Sequence, residues 1–205
     1  MRWTHGTSTG YPRGVILLHE TTAPAWAEAV LRDFDAFLLD HAACERKASA
    51  TGMLFVVRYP DRAEILDPLI RYAREELDHF HQVYRFLAER ELVLVSDTPD
   101  PYASRLLEFV RHGRDDRFLD RLLVAGILEA RGCERFGKLA TALPGGQLRE
   151  FYEGLTQADA RHQRLFVDLA HVYFDPTVVE ARLRQLLDHE ANLLRTLPVR
   201  AALYA

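Results

Sequence analysis

The chain has 205 residues, 48% of them hydrophobic, which is enough to bury the core of one large domain and argues against disorder. Its net charge of −4 gives no overall basic field for nucleic acid, and its two cysteines cannot form a disulfide framework. No apolar run approaches the roughly 20 residues of a membrane span, and the N-terminus lacks the segment order of a signal peptide. We therefore expect a soluble, cytoplasmic protein.

Residues 1–22 are rich in glycine and threonine, and we predict that they form an irregular N-terminal arm. A threonine cap followed by Pro24 predicts the start of a helix that continues to about Arg58, where Pro60 ends it. Apolar residues at helical spacing predict further helices over 62–91, 117–141, 147–173 and 176–197, and a short amphipathic segment over 102–111. This succession predicts an all-α four-helix bundle over 23–175, with an extra C-terminal helix and tail over 176–205 packed on it.

Polar positions interrupt the apolar stripe of each of the four long helices. Two of these helices carry a carboxylate three residues before a histidine, a spacing that puts both side chains on one helical face. The other two helices each carry a single glutamate. The candidate metal ligands are Glu45, Glu76, His79, Glu129, Asp159 and His162.

The turns between the helices bring these positions to one height in the bundle. Glu45 and Glu76 each lie about 14–15 residues from the turn at 59–61, and Glu129 and Asp159 lie about 13–15 residues from the turn at 144–146, so each antiparallel hairpin aligns its pair. One carboxylate from each of two helices, with a carboxylate-x-x-His pair from each of the other two, is the di-iron or di-manganese site of ferritin-like bundles. The alternative is a buried network without metal, which four acids in an apolar core make very unfavourable.

Glu134 competes with Glu129 for the place on the third long helix. Aligning residues 43–46 with 132–135 as an internal repeat would favour Glu134. Glu134 is only about 11 residues from the turn, however, and five residues along a helix is a rotation of about 140°, so both cannot face the metals. We predict Glu129 and keep Glu134 as the alternative. Asp159 is one methylene shorter than a glutamate, and we expect it to bind one metal ion or to need a local helix shift.

Five segments then stand in a characteristic order: DHAACERKA at 40–48, RYPDR at 58–62, AREELDHF at 73–80, LEARGCERF at 128–136 and ARH at 160–162. They resemble the tRNA 2-methylthio-N6-isopentenyladenosine hydroxylase family. The resemblance implies a ferritin-like di-iron monooxygenase that uses O2 and electrons from an external donor protein to hydroxylate the isopentenyl group of the modified adenosine next to the anticodon of tRNA. It implies the same six ligands and two iron ions, with Asp159 where the family pattern has Glu, and no catalytic residue beyond the ligands.

Such a substrate needs a dry apolar pocket beside the metals and a basic rim for the anticodon loop. The candidates for the pocket are Leu38, Leu77, Phe80, Leu122, Gly126 and Phe166. The candidates for the rim are Arg105, Arg111, Arg114, Arg117 and Arg121, although neighbouring aspartates leave an ordinary solvated loop as the alternative.

Other functions share part of this pattern. A ferritin- or rubrerythrin-like protein would use the same ligands to oxidise or store iron or to reduce peroxide, but the sequence has no rubredoxin-like cysteine module. A di-iron oxygenase acting on a small metabolite, and a bundle that binds a partner without metal, are the further alternatives. Ligand types do not decide between iron and manganese, and the sequence leaves open whether the protein is a monomer or a dimer.

Overall fold

Seven α-helices follow one another in the computed structural model, which describes residues 16–97 and 100–204. They are α1 (Pro24–Arg32), α2 (Phe34–Arg58), α3 (Ala63–Glu89), α4 (Pro101–Glu108), α5 (Arg114–Ala142), α6 (Gln147–Tyr173) and α7 (Pro176–Thr196). These ranges contain no β-strand. The prediction of an all-α protein is therefore confirmed.

Two long hairpins form the bundle. Helix α2 packs along α3, α5 packs along α6, and contacts between α3 and α6 join the two hairpins. Helix α7 packs against α4, α5 and α6 on the outside of the four long helices. This is the predicted ferritin-like bundle with an additional C-terminal helix, and it brings one face of each long helix to a shared interior.

The prediction of one continuous helix from the Pro24 region to Arg58 is wrong, because the chain breaks at Asp33. The backbone of Asp33 leaves the helical region with φ −135° and ψ 65°, and its carboxylate accepts a hydrogen bond of 3.2 Å from the N–H of Ala36. Aspartate favours such an N-cap because its side chain satisfies a backbone donor at the helix start. The break leaves α1 as a separate short helix that packs against α2 and α5.

Helix α5 is the centre of the hydrophobic core and is buried around most of its circumference. Phe118, Leu122 and Ile127 have no exposed surface, and they join Phe166 of α6 in the largest apolar cluster. Each such side chain stabilises the fold by roughly 1.5–3 kcal/mol through burial. A polar group inside this core is therefore surrounded by apolar walls, which is the setting of the candidate site.

Residues 16–22 contain neither helix nor strand, in keeping with the irregular arm predicted for 1–22, while the part of that arm at 1–15 lies outside the described residues. The backbone N–H of Ile16 donates to Gln163 Oε1 at 3.0 Å, which ties this segment to α6. Among the described residues, no helix combines the length and the apolar character needed to cross a bilayer.

Candidate metal centre

Two buried triads of possible metal ligands lie side by side in the bundle and share one residue. The first consists of Glu45, Glu76 and His79, and the second of Glu76, Glu129 and His162. In each triad the ligand atoms lie within 4.8 Å of one another, and all five residues are at most 7% exposed. Five of the six predicted ligands are thus brought together, from all four long helices.

His162 presents one ring nitrogen to the carboxylates and binds a further carboxylate with the other. Its Nδ1 lies 2.7 Å from Glu76 Oε1 and 3.4 Å from Glu129 Oε2. Its Nε2 lies 3.1 Å from Glu75 Oε2. When Nε2–H donates to Glu75, Nδ1 is left as a lone pair, which is the tautomer that a metal-binding histidine needs.

Three buried polar atoms at this place have no hydrogen-bond partner among the described residues: Glu76 Oε1, His79 Nδ1 and His162 Nδ1. The 2.7 Å approach between Glu76 and His162 lacks the angles of a hydrogen bond. Buried polar atoms without partners are uncommon because they cost free energy. Imidazole nitrogens and carboxylate oxygens converging on one space are a donor set that suits a divalent transition metal.

Neighbouring polar side chains hold the outer glutamates in place. His41 Nε2 lies 2.6 Å from Glu45 Oε1, and its Nδ1 lies 3.3 Å from the hydroxyl of Tyr152. On the other side, the hydroxyl of Tyr72 donates to Glu129 Oε1 at 2.7 Å. These partners fix the rotamers of carboxylates that would otherwise repel one another.

The electrostatics of the cluster reflect an excess of buried negative charge. Burial and the charge of Glu76 raise the pKa of Glu45 well above its ordinary value and also raise the pKa of Glu129. Burial alone would lower the pKa of His162, but the facing carboxylates of Glu129 and Glu76 raise it to about 11. Divalent cations bound between these groups would offset this excess of negative charge.

Asp159 differs from the other five predicted ligands. Its carboxylate is 6% exposed and lines the same cavity, but it belongs to neither triad. Burial, Glu129 and Glu76 raise its pKa well above the ordinary value. It packs against Gly132 of α5, where an added Cβ would collide with Asp159 Oδ2. The shorter acid therefore lies in the cavity but does not reach the position of its counterpart Glu76.

The structure separates Glu134 from the cavity. Glu134 accepts hydrogen bonds from the N–H and the hydroxyl of Thr22 at 2.8 and 2.6 Å, and it forms an ion pair with Arg131. It therefore neutralises a buried arginine on another face of α5, whereas Glu129 belongs to the second triad.

The predicted apolar lining is wrong, because none of its six residues borders the cavity. Leu77 is moreover 53% exposed, since it lies about 100° around α3 from Glu76. The residues that line the cavity are Cys44, Glu45, Ala48, Glu76, Glu129, Phe136, Asp159, Leu203 and Tyr204. No sequence signal indicated Leu203 and Tyr204, because they are distant along the chain from every ligand. Tyr72 was also missed, although its position one turn before Glu76 could have indicated it.

Comparisons with known proteins identify a family for this chain. The profile of the tRNA-(ms2io6A)-hydroxylase family (MiaE) matches residues 12–203. A tRNA 2-(methylsulfanyl)-N(6)-isopentenyladenosine(37) hydroxylase of Pseudomonas putida is 38% identical over 154 residues, 75% of each chain. A protein of the same name from Salmonella typhimurium is 26% identical, over 86% of this chain and 83% of its own.

A solved structure also resembles the fold. Protein 43 with aldehyde deformylating oxygenase activity from Synechococcus has a TM-score of 0.87 and 33% sequence identity, covering 92% of this chain and 95% of its own. Since the family profile spans nearly the whole chain, the chain belongs to the tRNA-(ms2io6A)-hydroxylase (MiaE) family.

Proposed function

We propose that this protein is a non-haem di-iron monooxygenase that hydroxylates the isopentenyl group of 2-methylthio-N6-isopentenyladenosine next to the anticodon of tRNA. The observation that carries the proposal is the pair of buried triads sharing Glu76, in a chain of the hydroxylase family. The reaction consumes O2, two protons and two electrons from an external donor protein, and it releases one water molecule as it places one oxygen atom on the prenyl chain. As a tRNA-modifying enzyme it would act in the cytoplasm.

In this proposal Glu45, Glu76 and His79 hold one iron ion, and Glu76, Glu129 and His162 hold the other. Asp159 completes the acidic set from the side of Gly132. When bound, the iron supplies the reduction of O2 and the oxidising power that a C–H bond requires, which no protein side chain provides.

The surrounding residues orient the ligands and keep the site dry. Glu75 fixes the ring of His162, and Tyr72 fixes the carboxylate of Glu129. Ala48 and Phe136 form apolar walls of the cavity. Excluding bulk water from such a cavity suppresses side reactions of an activated oxidant.

A second, larger pocket continues along the same seam between α2 and α5. The metal cavity is lined by residues 44–48 of α2, and the second pocket by residues 51–58 of α2 and residues 121–128 of α5. Its lining is mainly apolar, with Leu54, Phe55 and Val124 among the residues that border it, and it is partly open to solvent. Leu128 borders this pocket and is adjacent to Glu129. We infer that the prenylated base enters along this seam.

Arginines at the outer end of the second pocket suit a nucleic-acid substrate. Arg58 and Arg121 line the pocket, and among the described residues no carboxylate forms an ion pair with either. Burial and the charges of Arg58 and Arg117 lower the pKa of Arg121, so a phosphate there would relieve the repulsion. Of the other predicted rim residues, Arg111 and Arg114 are already paired with Asp120 and Asp61.

The test uses the purified chain loaded with ferrous iron, supplied with a reductant, O2 and tRNA carrying the prenylated nucleoside. Mass spectrometry of the digested tRNA is expected to show a nucleoside heavier by one oxygen atom. An unchanged nucleoside, from protein that holds iron and consumes O2, would refute the tRNA substrate.

The resemblance to the aldehyde deformylating oxygenase favours a second candidate, a di-iron oxygenase acting on a small apolar metabolite. The same iron-loaded protein would then convert an aldehyde and leave tRNA unchanged. The arginines at the pocket mouth support the tRNA substrate, since an uncharged aldehyde needs no cation.

A further inference from the structure

The C-terminal segment folds back over the bundle and forms part of the metal cavity. After α7 ends at Thr196, the chain returns so that Leu203 and Tyr204 line the cavity. Leu203 is 2% exposed, and both of its backbone polar groups are bound by side chains. Its N–H donates to Asp40 Oδ2 at 2.7 Å, and its carbonyl accepts from Arg135 Nη1.

The two side chains that bind the backbone of Leu203 belong to helices that carry predicted ligands. Asp40 lies on α2, five residues before Glu45, and Arg135 lies on α5, six residues after Glu129. Arg135 is 1% exposed and also donates to Thr22 Oγ1 at 3.1 Å. A buried guanidinium is costly unless its donors are used, so its hydrogen bond to a backbone carbonyl strongly fixes the segment.

Tyr204 lies at the part of the cavity that Asp159 borders, where the acidic side chain is one methylene shorter than a glutamate. Its hydroxyl lies 3.4 Å from the carbonyl oxygen of Leu128 and would be 3.7 Å from a Cβ on Gly132. The same Cβ would collide with Asp159, so the phenol and this carboxylate flank one backbone position of α5. The ring of Tyr204 stacks on that of Tyr102, with centroids 5.5 Å apart and planes 6° apart.

We propose that Tyr204 closes the metal cavity on the side of Asp159, and that Asp40 and Arg135 are positioning residues that hold it there. The aromatic ring fills space that the shorter acid leaves and separates the ligands from solvent. The closure slows the exchange of bound metal. This inference rests on the proposed function only in requiring that the cavity binds metal.

The test measures how fast ferrous iron passes from the anaerobic, iron-loaded full-length protein to a colorimetric chelator. Tyr204→Ala is expected to release iron about 10-fold faster or more, the scale on which groups outside the ligand set affect metal affinity. Tyr204→Phe retains the ring and is expected to release iron at the wild-type rate. Asp40→Ala is expected to accelerate release, whereas Asp40→Asn retains an acceptor for Leu203 and is expected to restore slow release.

Tyr84→Ala serves as the matched control, because Tyr84 is 45% exposed on α3 and does not line the cavity. The proposal would be overturned if Tyr204→Ala released iron at the wild-type rate. It would also be overturned if Tyr204→Phe released iron as fast as Tyr204→Ala does. Circular dichroism checks that each variant is folded. A wild-type protein that binds no iron contradicts the proposed function instead, so the two failures are distinguishable.

Discussion

Glu76 Oε1 lies 2.7 Å from His162 Nδ1, and this approach joins the two hairpins at the centre of the bundle. Glu76 comes from α3 and His162 from α6, each the second helix of its hairpin. The other oxygen of Glu76 lies 3.5 Å from His79 Nδ1. One carboxylate therefore faces both histidines, and it belongs to both triads.

The shared position predicts an unequal effect of removing individual glutamates. Glu76→Ala is expected to reduce iron from about two ions per chain to nearly none, since both triads lose a ligand. Glu45→Ala and Glu129→Ala each disrupt one triad and are expected to retain about one ion, because the other triad keeps all three of its ligands. Elemental analysis of protein reconstituted anaerobically and desalted measures the difference.

Two further variants test whether the loss of iron is specific to the glutamates of the triads. Glu134→Gln is expected to keep both ions, because Glu134 binds Thr22 and Arg131 away from the cavity. Glu153→Gln, on the exposed side of α6, controls for the loss of a charge. If Glu134→Gln lost an ion and Glu129→Ala lost none, Glu134 would replace Glu129 as the metal ligand on α5.

Turn distances predicted the grouping of Glu45 with Glu76 because regular antiparallel helices of similar pitch align residues equally far from a turn. The same count separated Glu129 from Glu134, as five residues turn a helix by about 140°. The break between α1 and α2 was not predicted, because the apolar periodicity continues through Asp33. The side chain of Asp33 instead caps the start of α2, which the periodicity does not reveal. The position of Tyr204 at the cavity was also not predicted, because Tyr204 is far along the chain from every ligand and its contacts depend on how the C-terminal segment packs.

Asp159 marks the limit of the symmetry argument. The spacing of Asp159 and His162 repeats that of Glu76 and His79, and spacing predicts equivalent roles. The missing methylene and the close approach of Gly132 move its carboxylate out of the triads. Side-chain length and backbone separation decide such details, and neither is contained in a helical period.

Arg58 and Arg121 provide a test of the tRNA-binding path. The double variant Arg58→Ala/Arg121→Ala is expected to weaken tRNA binding and to raise KM more than it lowers kcat, because phosphate contacts position the substrate. The slope of log K against log salt should become shallower by about 0.7 for each phosphate of a single-stranded loop that the variant no longer neutralises. Arg195→Ala is the control, since that arginine is paired with Glu20. An unchanged salt slope would contradict the path.

Asp120 links α5 to α7 and to the loop before α5, and it predicts a pH dependence of stability. Burial opposes its charge, but hydrogen bonds from Arg111 and Arg182 outweigh burial and lower the pKa of Asp120 from 3.8. Because the folded state keeps this carboxylate ionised at lower pH than the unfolded chain does, its contribution is complete above the unfolded pKa and is lost as the pH falls through the folded one.

Asp120→Asn therefore tests that contribution. The variant is expected to lose roughly 3 kcal/mol of unfolding free energy near neutral pH, because the largely buried Arg182 is left without its counter-charge. Urea unfolding at neutral and acidic pH should show the difference between wild type and variant shrinking as the pH falls. A difference that stays constant down to the acid limit would mean that the charge of Asp120 contributes nothing.

Gly132 and Gly154 form a matched pair for testing the close approach of α5 to α6. Gly132→Ala places a Cβ against Asp159 Oδ2 and is expected to cost about 1–3 kcal/mol, as overpacking does. Gly154 on α6 has open space around its added Cβ, so Gly154→Ala is expected to stabilise the helix by about 0.5–1 kcal/mol. Urea unfolding of the metal-free proteins measures both changes apart from metal binding. Equal stabilities would show that the bundle relaxes around the extra methyl group and that Gly132 is not required by Asp159.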